Sequence, residues 1–327
     1  MNKKQKVTLV ISVGLMACAM LTYVVSASAS YEEQIKSISK QALPSSEGYS
    51  DKMAALGPDA IPAIAAALLK EGERFTSTYY KALVKIGDKR AVLPLLAFLA
   101  KSSLITTPEG YAPHDALAAI RALGTFHDSR AMPAVLSIFN DTSLHIKMRL
   151  FAAATLAQVS DDATRQMAED FVMLQHSKLD VYYRAAVINK AVNQTDVMHA
   201  LIAVDSEKSL KMVLTYMGYG PNSYEVAPLM DYFATKDRQD VFEVLLAAIK
   251  LPDLYEPETR LLILEALANQ THRMDTRLLL PYLDEFVYEI TDFQREYSNN
   301  DEEEIAIENA VKTKRIDALR KRLLAQQ

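Results

Sequence analysis

Apolar residues recur along most of this chain at three- and four-residue spacings, the period of a helix with one face in a core. Long alternating runs that would read as half-buried strands are missing. The helical stretches are broken by turns of one chemistry: Leu56-Gly57-Pro58-Asp59-Ala60-Ile61-Pro62, Ile86-Gly87-Asp88-Lys89-Arg90-Ala91-Val92-Leu93-Pro94, and Leu123-Gly124-Thr125-Phe126-His127-Asp128-Ser129-Arg130-Ala131-Met132-Pro133. In each turn the glycine is placed to end one helix in the left-handed conformation, and the aspartate to cap the next through its side-chain oxygen. The last proline then falls in the first turn of that next helix, where a missing N–H costs little.

The stretches leading into these turns share a second pattern. Its best copy is Met148-Arg149-x-x-Ala152-Ala153-x-Thr155-Leu156-Ala157-x-Val159-Ser160-Asp161, with a second at Ala119-Ile120-x-Ala122-Leu123-Gly124-x-Phe126-His127-Asp128. Fainter echoes lie at Val181-x-x-x-Ala185-Ala186 and Arg260-x-x-Ile263-Leu264-x-Ala266-Leu267-Ala268. Paired alanines let helices approach closely, while the larger aliphatics form one stripe. Pro62, Pro94 and Pro133 are 32 and 39 residues apart, the period of a two-helix unit.

Together these residues resemble the HEAT repeat, in its short lyase-type variety with the pattern V-R-x-x-A-A-x-A-L-G-x-I-G-D-x-x-A-x-P-x-L. The likeness is good from Ser50 to Met167 and fainter from Val181 to Leu283, where glycine is scarce and the turns read Asn193-Gln194-Thr195-Asp196 and Gly218-Tyr219-Gly220-Pro221-Asn222. The resemblance implies an all-α, right-handed, armadillo-like α-solenoid of about six or seven HEAT-like helical hairpins with N- and C-terminal capping helices. It divides the protein into residues 1–29 (signal), 30–49 (N-terminal helix and linker), 50–283 (repeat solenoid) and 284–327 (C-terminal capping helices). The expected terminal helices are Tyr31–Leu43, followed by a linker at Pro44-Ser45-Ser46-Glu47-Gly48, and then Tyr282–Tyr297 and Glu302–Leu324. Acidic Glu302, Glu303 and Glu304 at the start of the last of these, and Arg320, Lys321 and Arg322 near its end, suit the helix macrodipole.

The N-terminus supplies an address. Lys3, Lys4 and Lys6 precede an uncharged run, Val7 to Ser30, that contains the small-x-small pattern Ala27-Ser28-Ala29 of a signal-peptidase site. The apolar run Val7–Val25 also approaches the length of a retained membrane anchor, and Leu15-Met16-Ala17-Cys18 resembles a lipobox that would lipidate Cys18. All three fates place the protein in the envelope: periplasmic or secreted after cleavage, membrane-anchored otherwise. Cleavage removes three lysines and no acidic residue, taking the formal charge from −5 to −8. A polypeptide this acidic offers no overall cationic field for nucleic acid. Cys18 is the one cysteine, so the cleaved product carries no thiol and no disulfide.

Candidate chemistry is sparse. His114, His127, His145, His176, His199 and His272 form no H-E-x-x-H pair, and all are expected at turns or helix ends. HEAT-like hydroxylases bind iron through His-Glu dipeptides, and none occurs here. There is no G-x-S-x-G elbow and no phosphate-cradling glycine loop. Asp161-Asp162, Glu169-Asp170 and Glu302-Glu303-Glu304 are read as caps or solvated faces. The bilin lyases share the repeat type but belong to a different compartment. No catalytic residue, metal or cofactor is therefore assigned. The resemblance implies that the second helix of each hairpin lines a concave face, which makes Tyr80, Tyr183 and Arg184 candidate contacts for a protein or peptide partner. Tyr79 is read as packing inward with Phe75, Leu83 and Ile86, Arg149 as a brace between repeats, and Met212, Met217 and Met230 as core. The functions implied are an exported, non-catalytic scaffold; an accessory factor or enzyme acting on a modified protein; or an envelope-tethered spacer. Intact mass of the product isolated from the envelope is expected to start at Ser30; a lipidated Cys18 or a retained Met1 would identify one of the other two fates.

Overall fold

The computed structural model describes residues 29–41, 47–71, 76–104, 112–178, 192–217, 223–251, 254–255, 257–270, 279–284 and 302–325. Every regular element among them is helical. The helices are α1 (Ala29–Gln41), α2 (Glu47–Ala54), α3 (Ile61–Glu71), α4 (Thr76–Ile86), α5 (Val92–Lys101), α6 (His114–Thr125), α7 (Met132–Asn140), α8 (Ile146–Val159), α9 (Asp162–His176), α10 (Gln194–Val204), α11 (Glu207–Met217), α12 (Ser223–Ala234), α13 (Gln239–Ile249), α14 (Pro257–Ala268) and α15 (Glu302–Ala325). They fall into two compact units, one ending at Val204 and the other starting at Asp205, a division that the repeat pattern does not mark.

In the unit that ends at Val204, helices pack on those two places along the sequence. α1 lies on α3 and α3 on α5; α2 lies on α4, α4 on α6 and α6 on α8; α8 lies also on α10, which follows it beyond residues 179–191, outside the described residues. Hairpins join the two rows, since α3 also packs on α4, α5 on α6 and α7 on α8. The cause is the apolar stripe on each helix, which one partner cannot cover. α8 is the extreme case, enclosed by α6, α7, α9 and α10 and apolar almost all round. Its small residues Ala152, Ala153 and Ala157 are buried, which permits the close approach of four neighbours.

The hydrogen bonds carry the same period. Thr155 Oγ1, buried on α8, donates to the carbonyl of Ile120 on α6 at 2.8 Å, across 35 residues. Lys85 reaches Asp51 at 2.6 Å across 34 residues, and Arg130 Nη2 donates to the Lys89 carbonyl at 2.9 Å across 41. Arg149 joins three helices: its Nε donates to the Phe139 carbonyl at 2.9 Å, and its guanidinium lies 5.0 Å from the centre of the Phe171 ring. That is the bracing role expected for it.

The turns follow the expected chemistry with corrections. Pro62, Pro94 and Pro133 sit in the first turns of α3, α5 and α7. Gly57 and Gly87 adopt φ of 79° and 70°, in the left-handed region where a Cβ is strained. Gly124 does not; it stays within α6, and His127 takes the positive φ of 46° instead. Asp88 and Asp128 accept the backbone N–H of Arg90 and Arg130 at 2.8 and 3.0 Å. Asp59 is no cap, because Gly57 occupies that position and Asp59 lies one residue inside the turn of 3₁₀ helix. Three further expectations are revised. α2 begins at Glu47, so residues 47–48 belong to a helix rather than a linker, and 44–46 lie outside the described residues. Residues 194–196 open α10 instead of forming a turn, with Asn193 and Asp196 exchanging backbone-to-side-chain hydrogen bonds of 3.1 and 2.8 Å. His199 lies inside α10 and not at its end, and Glu169 is buried rather than solvated, while Asp161 does cap α9 through the Thr164 N–H at 2.9 Å.

In the unit that starts at Asp205, α11 packs on α13, α12 on α14, α13 on α14 and α15 on α14. Arg238 binds its own turn through Asp240 at 2.9 Å and the preceding turn through Glu207, 31 residues earlier. Asp205, held at φ 51°, accepts from the Tyr232 hydroxyl at 2.8 Å and pairs with Lys236. Gln270 Nε2 donates to the Phe233 carbonyl at 3.0 Å across 37 residues. The expected terminal helix Glu302–Leu324 forms as α15 and covers α14 with Ile316, Leu319 and Leu323. Arg315 fixes it to Glu265 at 2.9 Å and Glu258 at 2.6 Å, and Arg322 caps α14 by donating to the Ala268 carbonyl at 2.9 Å. Residues 285–301 lie outside the described residues. Met217 and Met230 are core; Met212 is half-buried.

The Asp128 turn predicts a pH-dependent stability. Hydrogen bonds from the Arg130 side chain, against some desolvation, hold the Asp128 carboxyl below the ordinary carboxylate range. A depressed folded value means that the stabilisation is complete above the unfolded pKa of about 4 and is lost as pH falls through the lower folded value. Asp128→Ala is expected to cost about 1–2 kcal/mol at neutral pH, and the gap from the parent should narrow below about pH 4. Urea unfolding followed by circular dichroism across pH 3–7 checks both.

Candidate functional site

The row formed by α4, α6, α8 and α10 carries a polar strip assembled from four helices. In the repeat pattern, Tyr79 and Tyr80 stand at the Ala-Ala positions of α4, with Lys81 at the variable place that follows; the variable place of α6 is Arg121. Tyr79 turns inward, is fully buried and shares a 2.9 Å hydrogen bond with Ser39 Oγ of α1. Leu83 is buried beside it in sequence, Ile86 is half-buried, and Phe75 lies outside the described residues. Tyr80, one residue on, turns about 100° round the helix and stays half-buried.

Arg121 lies over the ring of Phe151 on α8, 5.1 Å from its centroid. Phe151 is itself 3 % exposed, so the guanidinium roofs a buried ring. Arg121 is exposed as a residue, yet protein crowds its head enough for desolvation to pull its pKa below the ordinary value, opposed by Tyr80 and Asp196. Both hold for a side chain that lies along a surface and not out in water. Tyr80 feels the same surroundings. Burial pushes its phenol up, Arg121 works against that, and Asp115 at the start of α6 adds to it. The phenol therefore stays protonated and acts as a donor.

Among the described residues, neither the Tyr80 hydroxyl nor the Arg121 guanidinium has a hydrogen-bond or ion-pair partner. The neighbouring charges are arranged differently. Lys147 in the first turn of α8 pairs with Asp196 in the first turn of α10 at 2.6 Å, and the Asp196 side chain is 9 % exposed. That pair is satisfied internally and ties two helices of the row together. The strip thus presents two unpaired donors beside a closed ion pair. Among the described residues it holds no nucleophile with an adjacent base.

Of the residues singled out from the sequence, Tyr80 is on this strip. Tyr183 and Arg184 lie outside the described residues, as do Cys18 and Ala27; Ala29 is the first residue of α1. Arg121, Phe151, Lys147 and Asp196 were not foreseen. Arg121 had a signal, since it shares with Lys81 the variable place of the sequence pattern. Lys147 and Asp196 had none, being 49 positions apart in different units of the pattern. Among the described residues no three His, Cys, Asp or Glu side chains stand close enough to hold a metal ion, and no single helix is long and apolar enough to cross a membrane. Comparison with protein-family models, with curated proteins and with solved structures finds no match.

Breaking the ion pair from one side leaves a carboxylate in a place with little water. Lys147→Met is expected to destabilise the protein by about 1–3 kcal/mol, and Asp196→Asn in the same background should recover part of the loss. A double-mutant cycle on urea midpoints measures it.

Proposed function

We propose that the protein is an exported, non-catalytic scaffold of HEAT-like repeats, acting in the periplasm or outside the cell, that holds a protein or peptide partner on the row α4, α6, α8 and α10. The stacking reading rests on helices that pack two places apart and on turn contacts that recur at separations of 31 and 41 residues. In such an array each unit contributes one helix to a continuous face, and binding energy comes from many shallow contacts instead of a deep pocket. The export reading rests on the N-terminal lysines, the apolar run and Ala27-Ser28-Ala29.

One observation carries the binding reading: Tyr80 and Arg121 lie on adjacent helices of that row with their donors unused. Tyrosine and arginine are also the residue types that anchor protein interfaces most often, because each joins a broad apolar body to a directional polar end. A catalytic reading lacks a comparable foundation, since a protonated phenol and a guanidinium can orient and neutralise but cannot by themselves attack or abstract.

A photo-crosslinking side chain at position 81 on α4, with a control at the exposed position 170 of α9, tests the face in the native envelope. The expected result is a discrete adduct from position 81 that excess unlabelled protein abolishes and that position 170 does not give. Equal, diffuse labelling from both positions would remove the support for a partner on this row.

A further inference from the structure

We infer that Tyr80 and Arg121 form a carboxylate-recognition site, so that the partner presents an acidic side chain or a free terminal carboxylate to the row of second helices; this rests on the binding face just proposed. The chemistry follows from what the two side chains lack. A guanidinium is a fixed fork of N–H donors matched to the two oxygens of a carboxylate, and the phenol adds a donor from the adjacent helix. Neither has an acceptor among the described residues, and both are partly desolvated. Water competes less well for donors placed this way, so a ligand that satisfies them gains more than it would at a freely solvated arginine. Phe151 holds the guanidinium from beneath, which lowers the ordering cost when the fork is engaged.

The charge around the site selects among anions. Asp115 is near enough to act on Tyr80, and Asp196 on Arg121, although Lys147 largely neutralises Asp196. The protein as a whole is acidic at −5, and more so without its N-terminal lysines. One cation flanked by a residual negative field accommodates a singly charged group better than a doubly charged phosphate, whose second charge meets more of that repulsion. A carboxylate is the peptide-borne anion that fits both the donor count and the charge. Arg149, by contrast, commits its Nε to a backbone carbonyl and its plane to Phe171, and offers no such fork.

The test uses the full mature protein and an N-terminally labelled decapeptide library made in matched forms: Glu or Gln at each scanned position, each with a free or an amidated C-terminus. Fluorescence polarisation is expected to show binding by carboxylate-bearing forms and loss in the matched neutral forms. The Glu/Gln arm and the free/amidated arm separate a side-chain source from a terminal one. Arg121→Gln should weaken that binding about ten- to hundredfold, Arg121→Lys should retain part of it, and Tyr80→Phe should cost a few-fold, with helicity unchanged. Should Arg121→Gln disturb folding, Tyr80→Phe alone carries the test, because it deletes a single hydroxyl. The inference is overturned by binding indifferent to carboxylates, by no binding in any form, or by affinity unchanged in both Arg121→Gln and Tyr80→Phe. A parallel arm places Arg121→Gln in the position-81 crosslinking background. An adduct that persists there sinks the carboxylate site and leaves the binding face standing, whereas no adduct in the parent sinks the face itself.

Discussion

The burial of α2, α4, α6 and α8 in turn against one another, along one row, is the constraint from which the rest follows. A helix of ten to fifteen residues with a stripe of leucine, isoleucine and alanine is unstable alone, and a single hairpin covers only part of two stripes. The second row of the unit ending at Val204, α2, α4, α6, α8 and α10, resolves this by repetition: every member but the outermost has a neighbour on either side. α8 has two more, and its buried Leu150, Phe151, Leu156 and alanines leave almost no polar face. The cost of removing any one of those side chains is therefore felt by the helices on either side of α8.

Packing alone leaves neighbouring helices free to slide, since aliphatic stripes are tolerant of register. The turns remove that freedom. In Asp88-Lys89-Arg90 and Asp128-Ser129-Arg130 the carboxylate caps the next helix and grips the arginine two residues on, and the arginine also reaches back to the preceding turn. Arg238 does the same with the order reversed, its acidic partner Asp240 following it and Glu207 lying 31 residues behind. These ion pairs are partly exposed and each adds modest stability, of the order of 1 kcal/mol or less. Their value is in register, because a shift by one helical turn would break several of them at once.

Legibility in the sequence tracked how local the chemistry was. Helix starts after Asp88, Asp128 and Asp161 were readable because capping is decided within three residues. The terminal helix was placed almost to the residue, since Glu302 to Glu304 and the basic Arg320 to Arg322 mark its own ends. The misreadings arose where a residue had two possible local roles. Gly124 can end a helix or pack inside one, and only the neighbouring α8 decides it: a Cβ there would meet Gln158 Oε1 at 2.0 Å and Thr155 Oγ1 at 3.3 Å. Asn193 to Asp196 has turn composition and is also a good helix start. Glu169 and His199 were misplaced because burial depends on which helix lies opposite, and that information is not carried within ten residues of either. The polar strip was half legible for the same reason. Tyr80 announced itself by standing where the repeat prefers alanine, while Lys147 and Asp196 meet only through the stacking.

That packing also gives meaning to Arg121, which departs from it. Arg90, Arg130, Arg149, Arg238, Arg315 and Arg322 each bind an acceptor that steadies a turn, a helix end or a junction. For a guanidinium with such a task, those bonds offset its partial burial. Arg121 is crowded enough to lose solvation and has only the face of Phe151 in return. A structural role would have been served as well by an aliphatic residue at the same place, and the equivalent position of α8 is in fact Ala154, which is buried. With no ion pair or hydrogen bond among the described residues, and the Phe151 face as its contact, Arg121 suits the proposed role of receiving an acceptor from another molecule. Tyr80 presents the same imbalance one helix away, and two adjacent donors of this kind are what the proposed carboxylate partner would satisfy.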